Sequence, residues 1–435
     1  MPFMQKIKVI GGGLAGAEAA YQLAKRGIFV ELYEMRPQNR SPAHISNGLA
    51  ELVCSNSLKS TEITTSAGLL KAEMKLMDSL IIKAAEASRV PSGSALAVDR
   101  QVFSQKVEQL LQEFSNIAII REEVKEIQDF SIVACGPLPS KALVKSLEEL
   151  TKTENLYFYD AVAPIVNLDS VNMQYAFWGS RYGKGEPDYL NCLLDKEQYL
   201  LFVNELKKAK RVQLKEFENH ELFSACMPIE ILAQRGEDTL RFGPLRPIGL
   251  TSVDGRRGYA VVQLRKEDNL NNLCNLVGFQ TNLTFSEQER VFRLIPALNN
   301  AEFVRYGVMH RNTFINSPLL LDNGLRLWHN KNIYFAGQIT GVEGYIESGL
   351  SGLLAGINFA AQLNNKDMFI PPDTTLSGSL LRFVSTRQKD FQPMHASFAL
   401  LPALEGKVKK NERKAAYADR ALHDLKEALR SNSYA

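Results

Sequence analysis

Long apolar runs are missing from the sequence. The most apolar late stretch, residues 344–363, is broken by Glu347 and several glycines, and nothing approaches the roughly 18 apolar residues a membrane span requires. The first residues, MPFMQKIKVIGGG, enter a strand pattern almost at once without a long apolar segment or a cleavage-type site, so no secretory signal is expected and the cytoplasm is the default location. Cysteine is sparse: Cys54, Cys135, Cys192, Cys226 and Cys274 are an odd number with no CxxC spacing, and the six histidines form no HxH or HExxH cluster. Structural disulfides and a metal site are therefore not expected. Charge of one sign is also lacking. With 51 Lys and Arg against 48 Asp and Glu, the formal net charge is +3, so any case for a polyanionic partner has to be local.

What is present is ordinary globular composition, 45% apolar and 23% charged over 435 residues, enough for two or three domains. Residues 6–10 (KIKVI) form a short β-type run, GGGLAG follows, and AEAAYQLAKRG is rich in helix formers and ends at Gly27. IFVELYE then closes a βαβ unit with Glu34 at the end of its second strand. Much later KNIYFA (331–336) repeats the strand signature and leads into a glycine-dotted helix reaching Leu363. Between them, residues 99–114 have amphipathic helix spacing, 116–127 read as a strand or hairpin, and 131–137 as a short buried strand. From about Lys141 to His329 short β-type runs alternate with turn-rich segments. The expected architecture is α/β: a Rossmann-like dinucleotide-binding domain assembled from both chain ends, residues 1–140 and 330–435, with a smaller α+β domain inserted over 141–329 and a basic helical tail from Leu404.

Gly11, Gly13 and Gly16 fit GxGxxG between a strand and a helix, and Glu34 stands 18 positions after Gly16. In that context the first glycine permits the tight turn, the second a close approach of backbone N–H groups to a pyrophosphate, and the third close helix–strand packing; Gly12, Leu14 and Ala15 belong to the same turn. Glu34 is expected to accept hydrogen bonds from the adenosine ribose. In flavoproteins with this unit a late strand and turn bring a second backbone approach to the flavin, and Gly337, Gln338 and Gly341 match it, with Gln338 where an aspartate is usual. These features favour FAD as the resident dinucleotide.

Cys54 (ELVCSNSLKS) and Cys226 (LFSACMPIE) lie in polar, turn-prone settings, unlike core cysteines. A thiolate attacks carbon when a nearby cation, a helix N-terminus or a substrate favours the anion. Cys135, Cys192 and Cys274 read as inert small hydrophobes. Arginines cluster at 235, 241, 246, 256, 257 and 265, and further basic runs occur at 207–211 and 407–414. Three such runs on a near-neutral chain point to an RNA or DNA partner, with Arg241 and Arg246 as contact candidates.

The strings GGGLAGAEAAYQLAKRG, LYEMRP, AELVCSNSLKS, ALAVDR, SRYGKGE, CMPIE, YAVVQLR, RLIPALNNAEFVRYGVMHRNTFINSP and FAGQITGVEGYIESGLSGLLAGIN resemble those of the folate- and FAD-dependent uracil-5 RNA methyltransferases, over nearly the whole chain. That resemblance implies C5 methylation of the T-loop uridine of tRNA to ribothymidine. Methylenetetrahydrofolate would supply the carbon, reduced FAD the electrons, and NADH or NADPH would recharge the flavin. It also gives the two cysteines roles, one adding to uracil C6 and the other removing the C5 proton, with Cys54 the favoured nucleophile. His310, Arg311 and Asn312 become candidate walls of the substrate or flavin pocket. Methylation of ribosomal RNA, a small-molecule FAD oxidoreductase and a non-catalytic RNA-binding flavoprotein are the competing expectations.

Overall fold

Short apolar runs bounded by glycine or polar turns become the strands of a parallel sheet, because each is buried on both faces and needs a helical crossover to reach its neighbour. The structure is a computed structural model and describes residues 6–153, 156–161, 163–183, 186–212, 227–252, 254–267, 272–389 and 391–431. Five strands line up in the order Ile333–Phe335, Ser131–Val133, Ile7–Ile10, Val30–Tyr33, Ile117–Ile120, with every neighbouring pair parallel. The chain ends thus meet in one sheet. The first strand lies at its centre, with the next strand on one side and the much later Ser131–Val133 on the other, and this switch point opens a crevice at the carboxyl ends of the strands.

The helix Leu14–Lys25 is buried over nearly its whole surface, and the helix Tyr345–Leu363 lies directly against it. A Cβ built on Gly352 would fall 2.1 Å from the carbonyl oxygen of Ala15, and one on Gly356 would fall 2.8 Å from that of Ala19. The glycines that dot this helix are what let the two backbones touch.

A second core surrounds a six-stranded antiparallel sheet ordered Ala176–Gly179, Tyr189–Leu194, Ala260–Lys266, Leu273–Leu276, Ile165–Asn167, Phe303–Arg305. The helix Lys196–Lys208 packs Tyr199, Phe202, Val203 and Leu206 into it. Its core residues run from Ala163 to Ala301. Leu143 and Leu147, and Phe314 to Leu327, pack into the first core instead, although the sequence reading put them in the insertion. The antiparallel pair Leu156–Ala161 and Met309–Phe314 carries the chain out and back. The tail helix Arg413–Ser431 docks on the first core through Ala418, Ala421 and Leu425.

Glu73 is wholly buried and its carboxylate accepts the backbone N–H groups of Leu376 and Ser377, each at 2.8 Å, at the start of the helix Leu376–Ser385. Burial outweighs these donors and pushes its carboxyl up to about 7 from an ordinary 4.5. A carboxyl raised in the fold stabilises it fully below the unfolded value and loses that contribution as pH climbs through the folded one. Thermal unfolding should therefore show Tm falling from about pH 4.5 to about pH 7.5, and Glu73→Gln should flatten that slope. A slope identical to the parent's would refute the assignment.

Candidate active site

The crevice at the strand ends is walled by Ile10, Gly11–Ala15, Tyr33–Arg36, Ala134–Ser140, Gly337, Gln338, Tyr345 and Ser348, and its open space, mouth included, is about 1030 Å³. The glycines of the turn divide by task. Gly11 has φ 109°, and a Cβ there would fall 2.4 Å from the Ala134 carbonyl oxygen; one on Gly16 would fall 1.8 Å from that of Gly11. Both are packing requirements. A Cβ on Gly13 would meet nothing within 4 Å, and Gly13 lines the cleft at the head of the helix Leu14–Lys25, where no side chain caps the free amides. That open helix N-terminus suits an anionic pyrophosphate.

Across the cleft Gly337 has φ 83°, and its N–H donates to Ser351 Oγ at 2.7 Å. Gln338 donates through Nε2 to Glu343 at 2.9 Å. Gly341 is not a wall residue: the direction of its missing side chain is filled by the Phe391 ring, 2.4 Å from a built Cβ.

Glu34 lies on the wall as expected, already engaged. Its oxygens accept from Arg36 N at 3.0 Å, Arg36 Nε at 2.8 Å, Arg36 Nη2 at 3.1 Å and Gly12 N at 3.2 Å. These occupy its four lone-pair sites, so a ribose hydroxyl arriving there exchanges with the longest, that of Gly12. Burial opposes ionisation of Glu34, but the bonds and charge of Arg36 more than offset it and hold the carboxyl below its usual range. Arg36, itself 1% exposed, also reaches Glu51 at 2.7 Å. Two carboxylates against one guanidinium leave this corner net negative, which disfavours a ribose 2′-phosphate and suits a free diol.

Cys54 adjoins the cleft through two wall residues, its neighbour Val53 and its partner Tyr345. The Tyr345 hydroxyl accepts the N–H groups of Cys54 at 2.7 Å and Ser55 at 3.1 Å, and lies 2.9 Å from Cys54 Sγ. With both oxygen lone pairs taken by backbone donors, the phenolic proton points at sulfur, an arrangement suited to a sulfur anion. Burial and the neighbouring Cys54 keep that phenol far above its ordinary pKa, so it stays a donor. The other side of the loop is held by the second domain: Arg265 donates to Asn56 at 3.0 Å and Ser55 at 2.7 Å, and Asn56 donates to the Lys266 carbonyl at 2.8 Å. Arg100 grips Glu267 at 2.7 Å and donates to the Leu52 carbonyl.

The remaining sequence candidates are placed unevenly. Cys226 lies outside the described residues. Burial pushes the Cys135 thiol up to about 12 and raises that of Cys192 as well, while Cys274 is buried beside the latter. Arg241 is committed, stacked 3.6 Å over the Tyr259 ring and paired with Asp238 at 2.8 Å, whereas Arg246 is exposed. His310, Arg311 and Asn312 lie on the strand Met309–Phe314, opposite Asp160, Tyr159 and Phe158, and Asn312 is buried. Arg36, Glu51, Arg100 and Tyr345 carried no assigned role in the sequence reading, and Arg265 figured there only as the last member of the arginine cluster. Of the first four only Arg36, two residues after Glu34, had a local signal. Among the described residues no His, Cys, Asp and Glu group could hold a metal, and no helix is long and apolar enough to cross a membrane.

Residues 6–367 match the family model described as glucose inhibited division protein A. A methylenetetrahydrofolate–tRNA-(uracil-5-)-methyltransferase TrmFO of Desulfitobacterium hafniense is 53% identical over 98% of both chains. The protein of the same name from Aquifex aeolicus is 52% identical over 99% of this chain and 97% of its own. Among solved structures, Aquifex aeolicus GidA in its form II crystal superposes with a TM-score of 0.70 at 16% identity, covering 97% of this chain and 73% of that one, which speaks to the fold. The chain therefore belongs to the glucose inhibited division protein A family and, within it, to the group of the methylenetetrahydrofolate–tRNA-(uracil-5-)-methyltransferases.

Proposed function

We propose that this protein methylates C5 of the T-loop uridine of tRNA, with methylenetetrahydrofolate as carbon donor. The observation that carries the reading is the Cys54 thiol, held at 2.9 Å by the phenol of Tyr345, itself a wall residue of the dinucleotide cleft. FAD fits that cleft, where the space beside Gly13 and the open helix N-terminus receive the pyrophosphate and Glu34 with Arg36 the adenosine ribose. When bound and reduced, FAD supplies the electrons that turn the transferred one-carbon unit into a methyl group, and NADH or NADPH restores them.

The protein's own part is to make C5 a nucleophile. A thiolate that adds at C6 pushes electron density onto C5, and a second base then removes the C5 proton. Cys54 and Cys226 divide these tasks, with Cys54 the favoured nucleophile. The uridine has to leave its stack to reach a sulfur placed between two domains. Docking draws on the exposed cations Arg246, Arg256 and Arg257, and on the exposed run from Lys407 to Lys414.

Mass-spectrometric mapping of tRNA and ribosomal RNA after incubation with protein, folate donor and reductant should place new 5-methyluridine in the tRNA T-loop. Methyl groups confined to ribosomal RNA, or none, would sink the assignment. Cys54→Ala and Cys226→Ala should each lose methylation, and at least one should no longer be trapped by 5-fluorouridine RNA; two normally active variants would remove the thiol chemistry.

The purified protein should be yellow. Gly13→Val should fold with a Tm close to that of the parent stripped of flavin, yet lose the flavin absorbance, because its side chain enters only the cleft. Gly16→Val should instead be destabilised outright by its clash with Gly11. A Gly13→Val protein that stays yellow would displace the cofactor from this turn.

Arg246→Ala is expected to weaken tRNA binding several-fold and to reduce the slope of log affinity against log salt by about 1. An unchanged salt titration would take Arg246 out of the interface.

A further inference from the structure

The inserted sheet presents one polar row to the Cys54 loop. Arg265 is opposite Asn275, Asn275 is opposite Ile165, and Ile165 is opposite Arg305. Directly paired residues of antiparallel strands share a face, and Arg265 shows which way this one looks, since it bonds Ser55 and Asn56 beside the cysteine. Arg305 ends this row on the edge strand Phe303–Arg305. The register there slips between Phe303 and Arg305, the kind of irregularity that re-aims a side chain near a site. Its Nη2 donates to the Ala43 carbonyl at 3.2 Å, one residue before His44 of the cleft wall.

The other guanidiniums around this loop are committed. Arg36 is held by Glu34 and Glu51, Arg100 by both oxygens of Glu267 and the Leu52 carbonyl, and Arg265 by Asn56 and Ser55. Arg305 bonds one carbonyl among the described residues and has further N–H groups to give. On the same row the side-chain nitrogen of Asn275 is buried without a partner among the described residues. Burial and the charge of Arg100 both disfavour the Arg305 cation, while Tyr345, Glu51 and Cys54 favour it. A second half-buried cation beside Arg100 is poorly placed for the fold alone and well placed for negative charge that arises at Cys54 during reaction.

We propose that Arg305 is a catalytic residue, donating a hydrogen bond to O4 of the target uracil and taking up the negative charge that forms there when sulfur adds to the ring. The proposal rests on the methyltransferase reading above. In the step concerned the thiolate lone pair forms the S–C6 bond and the C5–C6 π pair becomes an enolate shared between C5 and O4. No group leaves, and the C5 proton departs only after C5 has bonded to carbon. An N–H donor preset at O4 strengthens as charge grows and so lowers the barrier more than it tightens ground-state binding.

The test compares Arg305→Gln and Arg305→Lys with the parent as flavin-bound proteins. Arg305→Gln is expected to lower kcat by roughly 10²-fold, the usual loss for one such donor, with tRNA KM changed by less than about threefold. Arg305→Lys keeps the charge and should retain more of kcat than the Gln variant. Without RNA or folate, alkylation of Cys54 by iodoacetamide, read on its own peptide by mass spectrometry, should move to higher pH in the Gln variant and stay near the parent's in the Lys variant. An unchanged kcat, a loss lying wholly in tRNA affinity, or an alkylation profile superimposable on the parent's in Arg305→Gln would each overturn the proposal. Should the Gln variant fail to fold, the Lys variant decides: a kcat lowered with KM near the parent's upholds the donor role, since lysine keeps the charge but not the guanidinium geometry, and an unchanged kcat or a purely KM defect ends it. A parent protein that makes no 5-methyluridine would instead mean that the methyltransferase reading itself has failed.

Discussion

The contact between Gly352 and the Ala15 carbonyl governs where the chemistry sits. Any side chain at Gly352 or Gly356 would push the helix Tyr345–Leu363 off the helix Leu14–Lys25, since a Cβ has 2.1 Å and 2.8 Å respectively before it meets backbone oxygen. Because the backbones touch, the late strand Ile333–Phe335 joins the sheet begun by Ile7–Ile10, and the start of the late helix lands on the cleft. Tyr345 is the first residue of that helix, and its hydroxyl binds a loop 291 residues earlier in the chain. A glycine spacing one turn apart thus fixes both the dinucleotide cleft and the partner of the reactive sulfur.

The sulfur loop is held from two domains at once, and this makes it a poor place for slack. Tyr345 grips it from the cleft side, Arg265 and the Lys266 carbonyl from the inserted sheet, and Arg100 ties Leu52 to Glu267. Breaking a buried ion pair such as Arg100–Glu267 by removing one partner costs about 3–5 kcal/mol. The position of Cys54 is therefore tied to that of the inserted sheet through Arg265, Lys266 and Glu267.

What the sequence disclosed and what it hid divide along the range of the interactions. The βαβ unit, GxGxxG and Glu34 are local patterns, and strand, turn and helix appear where the periodicity places them. The late strand and glycine-rich helix were legible for the same reason. Arg241 illustrates the limit: its place in a basic run and its i,i+3 pairing with Asp238 are local, but its stacking on Tyr259 depends on how two separate segments meet. Gly341 matches a cofactor turn by spacing, yet the Phe391 ring from 50 residues later fills its open side. Tyr345, Arg100, Arg265 and Arg305 acquire meaning only through partners on other elements, and no periodicity announces such pairs. The edges of the insertion were blurred because Lys141–Thr151 has an amphipathic helix pattern that suits either core.

A net charge of +3 sits easily with an RNA substrate once the charges are sorted by depth. The deep guanidiniums are matched by carboxylates, Arg36 by Glu34 and Glu51, Arg100 by Glu267 and Arg326 by Asp322, so they add little to the field felt at a distance. The exposed cations of residues 246–257 and 407–414 stand on separate segments, so the positive charge open to a polyanion is divided between patches. Non-specific affinity, which scales with the number of phosphates neutralised, is thereby kept modest.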